Sequence, residues 1–131
     1  MPNPTFYIVD VFAEGKYAGN QLAVVREVGH LPDVALQMIA AEMNYSETTF
    51  VLSDEERDGG YEVRIFTPRE EIPFAGHPAL GTAFVIAREV ATEPRQNVTL
   101  NLKVGQIPVD LGDVLWMRQL PLPSAKPWNL R

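Results

Sequence analysis

The stretch Met43–Leu52 (MNYSETTFVL) places a single carboxylate where a chemical role is possible. Glu47 follows Ser46 and precedes two threonines, and an apolar run begins directly after them. A carboxylate at the mouth of a buried strand can act as a general acid or base, and neighbouring hydroxyl groups can orient it. The structural alternative is a solvated glutamate in a turn, flanked by residues that only form the turn and the strand.

A second chemical signal lies at Gly76, His77 and Pro78, directly before a long apolar segment. Pro78 suits the first residue of a helix. A helix start offers unpaired N–H groups and a positive dipole end, and a glycine there lets a ligand approach the backbone. This arrangement suits a carboxylate or a developing oxyanion, and His77 can donate, accept or carry a proton. The structural alternative is that His77 caps the helix and Gly76 turns the chain.

Composition excludes several other kinds of site. The chain has 131 residues and a net charge of −6, and its 11 Lys and Arg residues form no run, which argues against nucleic acid as a partner. It has no cysteine, so disulfides, thiolate catalysis and Cys-based zinc sites are excluded. The two histidines, His30 and His77, lack metal-ligand spacing and an acidic cluster, so we predict no metal and give His30 no role.

The sequence shows no signal for secretion or for a membrane. Its first residues contain no basic segment followed by an apolar one, so no signal peptide is evident. No stretch approaches the roughly 18 apolar residues that a membrane helix needs. We therefore expect a cytoplasmic protein without a membrane partner.

Two helices are predicted from apolar periodicity. Pro32–Met43 has an apolar face of residues spaced three and four apart, and Asn44 is a plausible left-handed stop. The second predicted helix is Pro78–Val90, in which almost every residue from Ala79 to Ala87 is apolar or small, and a helix that is apolar all round is buried on all sides. The first helix is therefore expected on the outside of the fold and the second at its centre.

About seven short strands are predicted from alternating or β-branched runs. The third and fourth are expected to form a hairpin across a charged turn, and the last three an antiparallel meander. A loop is predicted at Glu14–Asn20 (EGKYAGN) from its two glycines. The predicted strands are Thr5–Phe12, Leu22–Val25, Thr48–Leu52, Tyr61–Phe66, Asn97–Val104, Ile107–Leu111 and Val114–Gln119.

These elements predict an α+β fold: an antiparallel β-shell or barrel wrapped around one central buried helix, with one amphipathic helix outside. Residues 1–119 are expected to form this lobe. Residues 120–131 hold three prolines and lose the alternation, so we predict a Pro-rich tail or a linker between lobes.

Four segments in order resemble the PhzF-type family of phenazine-biosynthesis isomerases and their relatives, whose fold is similar to that of diaminopimelate epimerase. They are VDVF, AGNQLAVV, IAAEMNYSETTFVL and VRIFTPREEIPFAGHPALGTAFVI, and together they cover roughly Phe6 to Glu89. The resemblance implies a lobe with a β-shell around a central helix. It also implies a cofactor-independent isomerase or epimerase that moves a proton on a carbon acid.

The resemblance further implies roles for five residues. Glu47 corresponds to the family's general acid/base, and Gly76 and His77 to substrate and oxyanion contacts. Asn20 is implied to line the same cleft, and Ser46 to contact the substrate or Glu47. The expected partner is a small molecule, with a carboxylate-bearing carbon acid as the favoured class.

Members of this family are two such lobes in tandem, with the active site between them, whereas this sequence resembles the first lobe only. The missing lobe is expected to come from homodimerisation or from a separate subunit, and activity is expected only when it closes the site. The alternative is a catalytically inactive half that acts as a binding or assembly module.

Overall fold

The structure is a computed structural model, and it describes residues 5–11, 20–93, 95–111, 115–117 and 128–129. Within these ranges the chain forms nine strands and two α-helices, and the second helix ends in a π-helical turn. In chain order they are β1 (Thr5–Val11), β2 (Asn20–Arg26), α1 (Asp33–Met43), β3 (Thr48–Val51), β4 (Tyr61–Phe66), β5 (Glu71–Ile72), α2 (Gly76–Val85), the π-helical turn Ile86–Val90, β6 (Asn97–Leu102), β7 (Gly105–Leu111), β8 (Leu115–Met117) and β9 (Trp128–Asn129).

The strands form one sheet in the order β1-β2-β3-β4-β6-β7-β8-β9, and β5 pairs with β4 on the side. The β3–β4 hairpin and the β6–β7–β8 meander are antiparallel, as predicted. The prediction of a wholly antiparallel shell is wrong, because β2 pairs with β3 and β4 pairs with β6 in parallel. The connection between each parallel pair contains a helix, α1 in the first and α2 in the second, and parallel neighbours need such a crossover.

The central helix α2 confirms the predicted fold class. It contacts β1 at one end of the sheet order and β8 next to the other end, so the sheet curves around it. Its buried residues pack with Leu22, Val24 and Leu100 into the main hydrophobic core. The residues of α2 that are buried are Gly76, Pro78, Ala79, Leu80, Gly81, Thr82, Ala83 and Val85.

Phe84 is an exception to the predicted burial of this helix on all sides. Its side chain is 37% exposed, and the Arg88 guanidinium lies 5.3 Å from the centre of its ring. Apolar composition gives no sign of which face of a helix the sheet leaves uncovered.

The end of the helix also differs from an ideal α-helix. Ala91 donates its N–H to the Ile86 carbonyl five residues earlier, which is the spacing of a π-helix.

Helix α1 lies on the outside of the sheet, as predicted. Leu36 and Ala40 are buried in a second, smaller core cluster that includes Phe50 and Phe66, whose rings pack edge to face. Asn44 ends the helix in the left-handed conformation with a φ of 56°, as predicted. The helix begins at Asp33 rather than at the predicted Pro32, whose extended backbone places it at the cap position.

An ion-pair network fastens α1 to the sheet. Arg64 on β4 forms a two-point contact with Glu71 on β5 and a further bond of 2.8 Å to Asp33 at the start of α1. These hydrogen bonds from Arg64 hold the pKa of both carboxyl groups below its usual range. These contacts of Arg64 join β4 and β5 to the start of the outer helix.

Several predicted boundaries move in the structure. The β6–β7 turn is formed by Lys103 and Val104, whereas the strand was predicted to run to Val104, and Gly105 already pairs with Leu102. Apolar alternation continues past the last paired residue of β6, so the pattern places the turn too late. Two strands, β5 and β9, were not predicted because two residues show no alternation.

Four predictions fall wholly or partly on residues that the structure does not describe. They are the last residue of the strand predicted at Thr5–Phe12, the loop over residues 14–19, the ends of the strand predicted at Val114–Gln119, and most of the tail over residues 120–131. The described pair Trp128–Asn129 continues the sheet beyond β8, and the predicted boundary at residue 119 stays a prediction. In the part of the chain that is described, no helix is both long enough and apolar enough to cross a membrane.

Candidate active site

Glu47 lies directly before β3, and the pattern of that strand sets the direction of its side chain. Along β3, Val51 belongs to the main core around α2, whereas Phe50 belongs to the cluster beneath α1. Because side chains alternate along a strand, Thr49 and Glu47 are on the α2 side with Val51. The Glu47 side chain is 16% exposed, so it reaches the surface at the edge of the core without being fully solvated.

The start of α2 brings the second group of predicted residues to the same place. The helix begins at Gly76, so Pro78 is its third residue and not the predicted first. The proline is tolerated there because the N–H groups of the first turn have no partner within the helix. Gly76 is buried, and the His77 side chain is 22% exposed.

Glu47 and His77 face each other across a short gap. Glu47 Oε1 lies 3.9 Å from His77 Nε2, close enough for an ion pair when the imidazole is protonated but too far for a direct hydrogen bond. Two motifs that are 30 residues apart in the sequence therefore meet at one end of the central helix. A carboxylate able to move a proton thus lies beside backbone and imidazole donors able to stabilise negative charge.

The other predicted site residues are placed near this pair to different degrees. Ser46 is exposed and directly precedes Glu47. Asn20 opens β2, where its backbone pairs with Val11, and the parallel register of β2 with β3 (Ala23 opposite Thr48) places it toward the Glu47 end of the sheet. The substrate-binding roles of Asn20 and Ser46 stay predictions, as does the catalytic role of Glu47.

One residue at this end of the fold was missed by the sequence reasoning. Thr82 on α2 is fully buried, and its hydroxyl lies 2.6 Å from the Thr49 hydroxyl and 2.6 Å from the Pro78 carbonyl oxygen. The available signal was a lone hydroxyl in an otherwise apolar helix, expected to face a strand that carries threonines. The Thr49 hydroxyl, considered as an aid to orienting Glu47, bonds instead to this helix.

Thr48 and Thr49 differ sharply although they are adjacent and equally buried. The Thr48 hydroxyl has no hydrogen-bond partner among the described residues. A buried hydroxyl without a partner costs free energy, so Thr48→Val is expected to raise the free energy of unfolding by about 1 kcal/mol in urea denaturation. Thr49→Val, the matched control, removes a bonded hydroxyl and should lower it. A loss of stability in Thr48→Val would show that this hydroxyl is bonded after all.

Structure comparison defines the class of protein to which this lobe belongs. A solved PhzF-family structure from Enterococcus faecalis superposes with a TM-score of 0.76 at 32% identity, covering 92% of this chain and 48% of that one. A hydroxyproline epimerase from Agrobacterium vitis superposes with a TM-score of 0.60 at 10% identity, which shows a shared fold alone. The lobe therefore has the fold shared by PhzF-family proteins and an epimerase, as predicted.

Sequence comparison then identifies the family. The model of the phenazine biosynthesis-like protein family (PhzC-PhzF) matches residues 9–126, and the chain belongs to this family, which confirms the predicted resemblance. The trans-2,3-dihydro-3-hydroxyanthranilate isomerase of Pseudomonas aeruginosa is 40% identical over 106 residues, which are 81% of this chain and 37% of that enzyme. The chain thus spans little more than a third of that relative's length.

Proposed function

We propose that this chain forms one wall of the active site of a cofactor-independent isomerase or epimerase, with Glu47 as the general acid/base. The observation that carries the proposal is the 3.9 Å separation between the Glu47 carboxylate and the His77 ring at the start of the buried helix α2. Family membership supports the reaction class, because relatives of this chain are named isomerases.

The proposed reaction moves one proton and leaves the atoms of the substrate unchanged. The Glu47 carboxylate takes a proton from a carbon next to a carbonyl or conjugated system, and the electron pair of that C–H bond moves onto the substrate oxygen. His77 and the first N–H groups of α2 stabilise the resulting charge, because donors aimed at a developing oxyanion act most strongly there. The proton on the partly exposed Glu47 carboxyl exchanges with solvent, and Glu47 then protonates another carbon or the other face.

A small carboxylate-bearing carbon acid is the proposed substrate class. The helix start with its buried Gly76 suits an anionic group. The substrate named for the Pseudomonas aeruginosa relative, a dihydro-hydroxyanthranilate, is itself a carboxylate. We assign substrate contacts to Gly76, His77, Ser46 and Asn20.

A second lobe is proposed to close the site, either from another copy of this chain or from a separate subunit. The chain spans 37% of the Pseudomonas aeruginosa relative, so it matches only part of that enzyme. Strand β1 lies at one end of the described sheet, and its Phe6 and Ile8 side chains are 54% and 44% exposed. Exposed apolar residues at a sheet edge favour association.

The two-wall proposal predicts that activity depends on association. With trans-2,3-dihydro-3-hydroxyanthranilate as substrate, the rate per chain is expected to rise with protein concentration in parallel with the fraction sedimenting at twice the 14.6 kDa of one chain. Sedimentation velocity and the isomerase assay on the same samples measure both quantities. A stable monomer with full activity would contradict the need for a second wall.

The exposed apolar residues Phe6 and Ile8 on β1 would also suit a second candidate, an inactive half that serves as a binding or assembly module. Such a module would associate and bind carboxylates but would not move a proton. An associated chain that binds the anthranilate-type substrate without converting it, at every protein concentration tested, would favour this alternative.

A further inference from the structure

Thr82 carries a hydrogen-bond chain that runs through the core from β3 to the first turn of α2. Its hydroxyl oxygen lies 2.6 Å from Thr49 Oγ1 and 2.6 Å from the Pro78 carbonyl oxygen. Both threonines are 0% exposed, so both bonds are shielded from solvent. Hydrogen bonds in such an apolar setting are stronger than at the surface, and their loss leaves polar groups unpaired.

The direction of these hydrogen bonds follows from counting their donors. A carbonyl oxygen only accepts, so the single hydrogen of the Thr82 hydroxyl is directed to Pro78. The contact between the two hydroxyls must then use the hydrogen of Thr49, with Thr82 as acceptor. Thr49 therefore donates to Thr82, and Thr82 donates to Pro78. Removing the Thr82 hydroxyl breaks both bonds and leaves the Thr49 hydroxyl as a buried donor without that acceptor.

The residues at the two ends of this hydrogen-bond series, Thr49 and Pro78, lie next to Glu47 and His77 in the sequence. Thr49 lies two residues after Glu47 and on the same side of β3, and Pro78 directly follows His77. The bond from Thr82 to Pro78 alone is an ordinary contact of a helical threonine with the carbonyl four residues earlier. The bond from Thr49 is different, because it joins α2, one turn after Pro78, to the strand that directly follows Glu47.

We infer that Thr82 is a positioning residue, which sets the distance and orientation between Glu47 and His77 through its bonds to Thr49 and Pro78. The inference rests on the proposed function for its catalytic meaning, although the geometric effect is measurable without any substrate. Small shifts of reacting groups have large effects on rate, so a brace of this kind affects turnover more than binding.

Three variants separate positioning from stability. Thr82→Ser keeps the hydroxyl and should preserve the geometry. Thr82→Val keeps the shape of the side chain but removes the hydroxyl, so the Thr49 hydroxyl loses its acceptor. This variant should lower Tm by roughly 5 °C. The double variant Thr49→Val with Thr82→Val replaces both partners by apolar groups and should recover most of that Tm, but it still lacks the brace.

The substrate-free test is the NMR signal of the His77 ring in the full chain. In the parent, Glu47→Gln removes a carboxylate that lies 3.9 Å from His77 Nε2 and should shift the His77 signal. The exposed His30, the other histidine of the sequence, provides the internal control. The change in the His77 signal caused by Glu47→Gln should be about half as large in the folded double variant. The reason is that the field of a charge weakens with distance, and residue 47 and His77 are expected to move apart there. It should remain at parental size in Thr82→Ser.

The activity readout tests the same inference in the associated protein. The double variant should lose about tenfold to a hundredfold in kcat with little change in KM, and Thr82→Ser should restore the rate to near the parental value. An undiminished His77 response in the double variant would overturn the inference whether or not the chain is active. A diminished response in a chain whose parent shows no turnover would support the brace and would count against the proposed function alone.

Discussion

Leu80→Ala is expected to lower the free energy of unfolding by about 2–5 kcal/mol, measured by urea or thermal denaturation. Leu80 is 0% exposed and lies in the main core, in the middle of the helix around which the sheet curves. Truncating it removes buried apolar atoms and leaves a cavity bounded by the sheet and the helix. The cost is large because a close-packed core relaxes only partly around a missing group.

Phe84→Ala is the matched control, one helical turn further along the same helix. This larger side chain is 37% exposed and packs under the Arg88 guanidinium, so its loss should cost no more than about 1 kcal/mol. Equal losses in the two variants would contradict a central helix with one uncovered face.

Glu47→Gln is expected to reduce kcat by about 10²–10⁴ in the associated protein, assayed with trans-2,3-dihydro-3-hydroxyanthranilate. An amide has nearly the same shape as a carboxylate but cannot take a proton from carbon at neutral pH. The carboxylate is 16% exposed and faces His77 at the helix start, so the substitution changes the chemistry of the site without emptying the core. The Tm should therefore stay close to that of the parent.

Two controls make this result specific. Glu42→Gln neutralises an exposed carboxylate near the end of α1 and should leave kcat unchanged. Glu47→Asp keeps the carboxylate on a side chain that is one methylene shorter, so its kcat should lie between those of the parent and of Glu47→Gln. A Glu47→Gln enzyme as active as Glu42→Gln would assign the proton transfer to another group.

The sequence predicted the fold class because its strongest patterns are long and periodic. The apolar segment that became α2 was too uniform for a surface helix, and the spaced apolar residues of α1 required one covered face. The parallel pairing of β2 with β3 was not predictable in the same way, since pairing depends on how a crossover helix folds back and not on the alternation within either strand.

For the candidate site, each of the two groups was predictable from local sequence, but their proximity was not. Glu47 and His77 were both singled out by local chemistry, but only the packing of α2 against β3 places them 3.9 Å apart. Thr82 was missed because a lone threonine in an apolar helix has no distinguishing local pattern. Its importance depends on Thr49, which lies 33 residues away in the sequence.

Uptake of solvent deuterium tests the central claim most directly, because it follows the proton on carbon and not the product alone. The associated parent protein and its Glu47→Gln and Glu42→Gln variants are incubated with the anthranilate-type substrate in D2O, and carbon-bound deuterium is measured by mass spectrometry. Glu47 as the acid/base predicts uptake by the parent and by Glu42→Gln, and its loss in Glu47→Gln. Uptake that is unchanged in Glu47→Gln, or absent from the parent, would contradict the account.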